Sequence, residues 1–265
     1  MMIMERIRGI AIGLLLFWLC LGAQAAPITL APTASGELVE KQQCASPGCF
    51  SLDFEYRNPL QSLSFGSTLV PGDGRVNTGL GYLVFDLSGL TASTESAHLR
   101  LDLDYSQAVD PALTVAALPP SIVSALTGIA PGSTSVSFFD MTPEGIAAFA
   151  AAGTLYNAIS SGSMLGSLGT SGPFNGVIDI SLNSEAISQI NATGGLWGIG
   201  LRWTPTPIGT IFNQSDLIEF NSAPQLRLTQ TAEAPLPGSL TLFALGMLLQ
   251  LHRRSARQRD TATAA

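Results

Sequence analysis

The sequence predicts a mostly β protein: a single β-sandwich or jelly-roll domain with two short helical insertions, an N-terminal signal peptide and a C-terminal transmembrane helix. Three observations lead there. Several segments alternate apolar and polar residues with period two, the mark of a strand with one buried face. Gly- and Pro-rich clusters separate those segments. The two ends of the 265-residue chain are apolar and basic, whereas the whole carries a net charge of −7.

Met1 to Arg8 carry Arg6 and Arg8 against Glu5, followed by the apolar run "GIAIGLLLFWLC" and then "LGAQAAP". A basic start, an apolar core of this length and the Ala23-Gln24-Ala25 site predict a secretory signal peptide over residues 1–25, cut before Ala26. A lipoprotein signal at Cys20 is disfavoured, because Phe17-Trp18-Leu19 lacks the small residue that such signals place ahead of the cysteine. The mature domain is expected over residues 26–232.

In "CASPGC", Cys44 and Cys49 are the even pair left after signal removal. Ser46-Pro47-Gly48 supplies turn chemistry between them, and an oxidising compartment favours a disulfide. A zinc site lacks partners, since the body has one histidine and no further cysteine. "FSLDFEY" then alternates Phe50, Leu52, Phe54 and Tyr56 against Ser51, Asp53 and Glu55. "AHLRLDLDY" sets Ala97, Leu99, Leu101, Leu103 and Tyr105 against His98, Arg100, Asp102 and Asp104. "GYLVFDL", "VIDISL", "LWGIGLRW" and "PQLRLTQ" are further strands, and "VPGDGRVN" and "GIAPGST" are turns.

The first helix is read from "TPEGIAAFAAAG", with Thr142 as cap, Pro143 at the first helical position and an end near Gly153. The second is read from "NSEAISQINATGG", with Asn183 or Ser184 as cap and Gly194 as stop. The Gly/Ser-rich "SSGSMLGSLGTSGP" between them reads as a long surface loop.

Residues 233–259 have three parts: Pro235-Leu236-Pro237-Gly238, an apolar run through Leu251, and the cluster Arg253, Arg254, Arg257 and Arg259. The run is near the lower length limit for a membrane span, and flanking arginines favour the cytoplasmic side. In order and position these parts resemble the PEP-CTERM sorting signal of exported bacterial proteins, here with Pro-Leu-Pro in place of Pro-Glu-Pro. That resemblance implies an exosortase-type enzyme as partner and a membrane anchor through residues 234–251 before processing. It also implies Sec-dependent export to the cell surface or the extracellular matrix.

A second resemblance covers "GYLVFDLSGLTASTESAHLRLDL", "SFFDM", "LNSEAISQINATGGLWGIG" and "PQLRLT". These segments are similar to jelly-roll domains of secreted bacterial surface proteins, whose shape is like that of carbohydrate-binding modules. It implies fold more than function.

Between Ala26 and Pro237 the only bases are Lys41, Arg57, Arg75, Arg100, Arg202 and Arg227, so the body is anionic. That excludes nucleic acid as a partner, because phosphate neutralisation needs a basic footprint. Nothing calls for a cofactor. A Ser-His-Asp arrangement would need His98, which lies on the polar face of a regular strand and reads as solvated or paired across strands. No Gly-x-Ser-x-Gly elbow occurs in the body, and no pair of carboxylates stands out. Asp102 and Asp104, with Asp73 from "PGDG", offer oxygen ligands of the kind Ca²⁺ takes, but an ordinary exposed face is the preferred reading. Trp197 and Trp203 share a face with Ile199 and Leu201, so the core claims them first. Trp203, beside "TPTPIGT", is the better candidate for stacking on a sugar.

The expectation is therefore a non-enzymatic, exported surface or matrix protein with a structural or adhesive role beside extracellular polysaccharide. The alternative is a carbohydrate-binding module with a defined sugar site, and the second alternative is a secreted glycan-active enzyme.

Overall fold

The structure is a computed structural model that describes residues 27–45, 48–58, 64–70, 75–105, 112–169, 174–204 and 216–231. The expected signal peptide, residues 1–25, and the expected sorting signal, residues 233–259, lie outside these residues. In chain order the described elements are β1 (Ile28–Leu30), β2 (Ala34–Ala45), β3 (Gly48–Asn58), β4 (Ser64–Val70), β5 (Arg75–Asp86), β6 (Thr94–Tyr105) and β7 (Ala112–Ala117). Then follow α1 (Pro120–Thr127), β8 (Gly132–Ser137), α2 (Pro143–Ser161), β9 (Met164–Gly169), β10 (Phe174–Ser181), α3 (Ser184–Ala192), β11 (Leu196–Thr204), β12 (Asp216–Phe220) and β13 (Gln225–Gln230).

Every ladder is antiparallel, and the strands fold into two facing sheets, as a β-sandwich requires. The larger sheet runs β8-β3-β2-β5-β11-β7-β9, and the smaller runs β1-β13-β6-β10. One corner joins them: β4 pairs with the first residues of β5, and β12 bridges β4 to the last residues of β6. At the opposite side β9 approaches the end of β10, where Asn183 donates its backbone N–H to Leu165 O at 2.8 Å and its Nδ2 to Met164 O at 2.8 Å. Pro27–Gln230 forms one compact unit.

Alternation places the main core between the sheets. Leu99, Leu101 and Leu103 of β6, Leu226 and Leu228 of β13, Leu83 and Phe85 of β5, and Ile199 and Leu201 of β11 are all fully buried there. Each such side chain contributes roughly 1.5–3 kcal/mol through burial. A second core lies on the other face of the larger sheet. Leu38, Phe54, Leu80, Tyr82 and Val84 pack there beneath Val123 and Leu126 of α1 and Ala152 and Ile159 of α2. β5 is consequently buried on both faces from Gly79 to Phe85, which is why "GYLVF" runs without a charged residue up to the exposed Asp86.

α1 and α2 are thus the cover of this outer face, while α3 packs Ala186 and Ile190 into the main core; three helices are described where the sequence suggested two short insertions. α2 begins as expected, with Thr142 Oγ1 accepting from Gly145 N at 3.0 Å and Pro143 at the first turn. It runs to Ser161 because Gly153 faces Phe54, and the sheet beneath rewards further turns through Ile159. α3 is capped by Asn183 Oδ1, which accepts from Ala186 N at 3.0 Å. The expected surface loop after α2 contains strand β9, whose Leu165 is fully buried in the main core.

β11 shows how the two cores fit together. Its apolar residues Trp197, Ile199, Leu201 and Trp203 face the sandwich, while Gly198 and Gly200 face the helices. A Cβ at position 200 would lie 2.7 Å from the backbone oxygen of Ile159, and one at 198 would lie 2.6 Å from Val123 Cγ2. The glycines let α1 and α2 settle directly on the strand. Gly200→Ala is therefore expected to destabilise the fold by ~1–3 kcal/mol, although alanine replaces glycine in a strand. Gly194→Ala, where an added Cβ meets nothing within 4 Å, should change stability by less than ~0.5 kcal/mol. Urea denaturation of the two variants checks this; equal effects would contradict close helix–strand packing.

Candidate functional site

The residues singled out in the sequence do not converge. Cys44 and Cys49 face each other in the β2–β3 ladder, Cα atoms 4.0 Å apart, and form a disulfide. Trp203 is only 4% exposed and sits in the main core, so its ring offers no surface platform. The Asp102 carboxylate accepts from Asn221 Nδ2 and Ser222 Oγ, each at 3.2 Å, tying β6 to the turn before β13. Asp104 lies two residues further along β6, opposite Asn175, while Asp73 is outside the described residues. Among the described residues no group of three or more His, Cys, Asp or Glu stands close enough to hold a metal ion. His98 pairs across strands with Ser181, Nδ1 lying 3.3 Å from its Oγ, and Arg100 meets Asp179 at 3.8 Å. Pro235, Leu236, Pro237, Gly238, Arg253, Arg254, Arg257 and Arg259 lie outside the described residues. Among those described, no helix is long and apolar enough to cross a membrane.

Two features were not read from the sequence. The first is a charge network on β2 and β3. Glu55 is its hub: Arg57 Nε and Nη2 donate to Oε1 and Oε2 at 2.9 and 3.1 Å, Lys41 Nζ lies 2.9 Å from Oε2, and Ser133 Oγ donates at 3.0 Å. Glu37 is 4% exposed and, among the described residues, receives Arg57 Nη1 at 3.4 Å. Gly79 makes room for it, since a Cβ there would overlap Glu37 Oε1. Burial pushes the Glu37 carboxyl up to about 7, whereas the hydrogen bonds from Arg57 draw Glu55 down to about 2.

The second feature is a cleft of 670 Å³ at the end of the sandwich, where four chain segments meet. Leu118-Pro119-Pro120 leads into α1, Ser161-Gly162-Ser163 leaves α2, Gln189 and Thr193 come from the end of α3, and Gly195–Gly198 opens β11. Leu196, 43% exposed, projects beside an edge of the otherwise buried Trp197. Trp197 Nε1 donates to Gln189 Oε1 at 3.3 Å, Gln189 Nε2 donates to Glu185 Oε1 at 3.2 Å, and Ser163 Oγ donates to the same carboxylate. This relay holds the polar groups of the wall in place. Among the described residues, none that lines the cleft is ionisable. The cleft therefore presents no charge from its own lining, and the Glu185 carboxylate beside it is engaged by Ser163 and Gln189. The cleft offers apolar surface, hydroxyls and a carboxamide, within the size range of small-molecule sites. "LPPS" and "ATGGLWG" mark the loops that build it, but nothing local shows that they meet.

No known protein family matches the chain, and no curated protein does. Among solved structures it is similar to the xylan-binding module CBM15, at 11% identity and a TM-score of 0.36, covering 79% of this chain and 99% of that one. It is also similar to a protein described as secreted from Parabacteroides distasonis, at 8% identity and a TM-score of 0.28, covering 80% and 76% of the two chains. At these scores the likeness assigns nothing to this chain.

The charge network makes stability depend on pH. Glu37 binds its proton more tightly in the fold than in the unfolded chain, where its value is 4.5. Its contribution is therefore fullest below about 4.5 and is lost as pH rises through about 7. Glu55 acts in the opposite sense, its stabilisation present above 4.5 and lost as pH falls towards about 2. Glu37→Gln should remove the first effect, so the variant gains on the wild type by on the order of 3 kcal/mol between mildly acid and neutral pH. Denaturant titrations across that interval measure it; parallel profiles for the two proteins would contradict it.

Proposed function

We propose that this chain is an exported carbohydrate-binding module that holds a neutral glycan in the cleft between α1, α3 and the start of β11, and that it acts by binding. The observation that carries this reading is the lining. In a chain where 12% of residues are charged, none of the cleft residues is ionisable. A neutral sugar needs an apolar surface for its ring faces and uncharged hydrogen-bonding groups for its hydroxyls. Leu196 and Pro119 provide the first, and Ser161, Ser163, Gln189 and Thr193 provide the second. Neither Glu37 nor Glu55, the carboxylates whose proton affinities diverge, lines the cleft, which weighs against the glycan-active enzyme.

Residues 1–25 and 233–259 supply the setting. On this reading the first exports the chain, and the second passes it to an exosortase-type enzyme for release at the cell surface or into extracellular polysaccharide. There a glycan-binding module would serve the structural or adhesive role. Intact-mass spectrometry of protein from native envelope and medium tests the route. The expected product starts at Ala26 and ends near Pro237, and a membrane-bound form retaining Arg253 to Arg259 would sink the sorting step.

Calorimetric titration with neutral oligosaccharides tests the binding. Ala192→Arg places a bulky cation on the cleft wall, at an exposed helix end where positive charge is favourable. It should weaken binding by at least about tenfold, roughly 1.4 kcal/mol, without lowering the melting temperature. Unchanged affinity in a folded Ala192→Arg protein would contradict the site.

A further inference from the structure

Resting on the proposed glycan reading, we infer that the site is a groove running over the Thr193–Gly195 turn, built to take an internal stretch of an extended neutral polysaccharide. A second cleft of 410 Å³ lies on the far side of that turn. Ala192 and Thr193 line both clefts, so the end of α3 and the turn after it form a low wall between two adjoining spaces. The wall is low because of its glycines. A Cβ added at Gly194 or Gly195 would meet nothing within 4 Å, so neither position supports a packed side chain that would close the passage.

The second cleft has the chemistry of the first. Ser88, Thr91 and Asn191 offer hydroxyls and a carboxamide, Leu90 offers apolar surface, and again no lining residue among those described is ionisable. Asn191 is held in place from behind: its Oδ1 accepts from Thr94 N at 2.7 Å and its Nδ2 donates to Thr94 O at 3.0 Å. Two uncharged clefts on either side of a glycine turn suit a ligand that repeats the same neutral unit along its length. A mono- or disaccharide needs only one of them. A longer chain seated in both gains from tethering, because its second contact becomes intramolecular.

The test is a ladder of neutral linear xylose and glucose oligosaccharides, from disaccharide to octasaccharide, titrated calorimetrically into the disulfide-bonded domain. Affinity should rise with length by at least about tenfold once the chain can reach the second cleft, and then level off. Thr91→Trp fills the second cleft from an exposed position without touching the first. It should erase the length dependence and leave disaccharide affinity unchanged. Gly194→Gln, which raises the wall where there is open space, should do the same and serves as the check should Thr91→Trp fold poorly. Length-independent binding, or equal losses for short and long chains in both variants, would overturn the groove while leaving the single-cleft reading intact. Failure of every neutral oligosaccharide to bind would overturn both.

Discussion

Strand β11 has to bury both of its faces at once, and the rest of the architecture follows from how it does so. One face carries Trp197, Ile199, Leu201 and Trp203 into the space between the sheets. The other carries Gly198 and Gly200, which leave the backbone bare for α1 and α2 to rest on. A larger residue at either position would push a helix off the sheet, and the second core of Leu38, Phe54, Leu80 and Tyr82 would lose its lid. The protein is therefore a sandwich with one sheet roofed by helices, and the roof depends on two missing side chains.

That arrangement also creates the cleft. α1, α2 and α3 end or begin where β11 enters the sheet, and the cleft lies among their termini and Gly195–Gly198. The opening is lined by what helix ends and loops provide here: prolines, glycines, hydroxyls and one carboxamide. Glu185 stands behind Ser163 and Gln189 at the rim, whereas a denser charge network lies on β2 and β3, where Glu55 satisfies Arg57 and Lys41 and leaves Glu37 half-served in a buried position. The separation of uncharged opening from charged sheet face underlies the functional reading.

Much of the strand structure was legible because one face of each strand meets the core and the other meets solvent. β13 follows that pattern through its whole length and β6 does so from Ala97 to Asp104, and both helix starts were marked by capping residues whose bonds are present. What escaped has physical causes. β2 buries Ser35 and Glu37 through partners on other strands, so its sequence reads as polar and irregular. β9 anchors a Gly/Ser-rich segment through one deeply buried leucine, too weak a local signal to set against the glycines. α2 outruns Gly153 because tertiary contact with the sheet outweighs the intrinsic cost of glycine in a helix. The cleft was least legible of all: its residues come from four separated segments, and only the fold brings them together. Trp203, the residue with the strongest local claim to a sugar, is claimed by the core instead.

The central claim is that the opening at the end of the sandwich, and no other surface, receives a neutral glycan. Amide chemical-shift mapping of the isotope-labelled domain during titration with a neutral oligosaccharide tests it most directly. The account predicts that shifts concentrate on Gln189, Thr193, Gly195, Leu196 and the indole N–H of Trp197, with Lys41, Glu55 and Arg57 unmoved. Saturable shifts centred on the β2–β3 face, or on the exposed Phe138 and Phe139 just after β8, would contradict it.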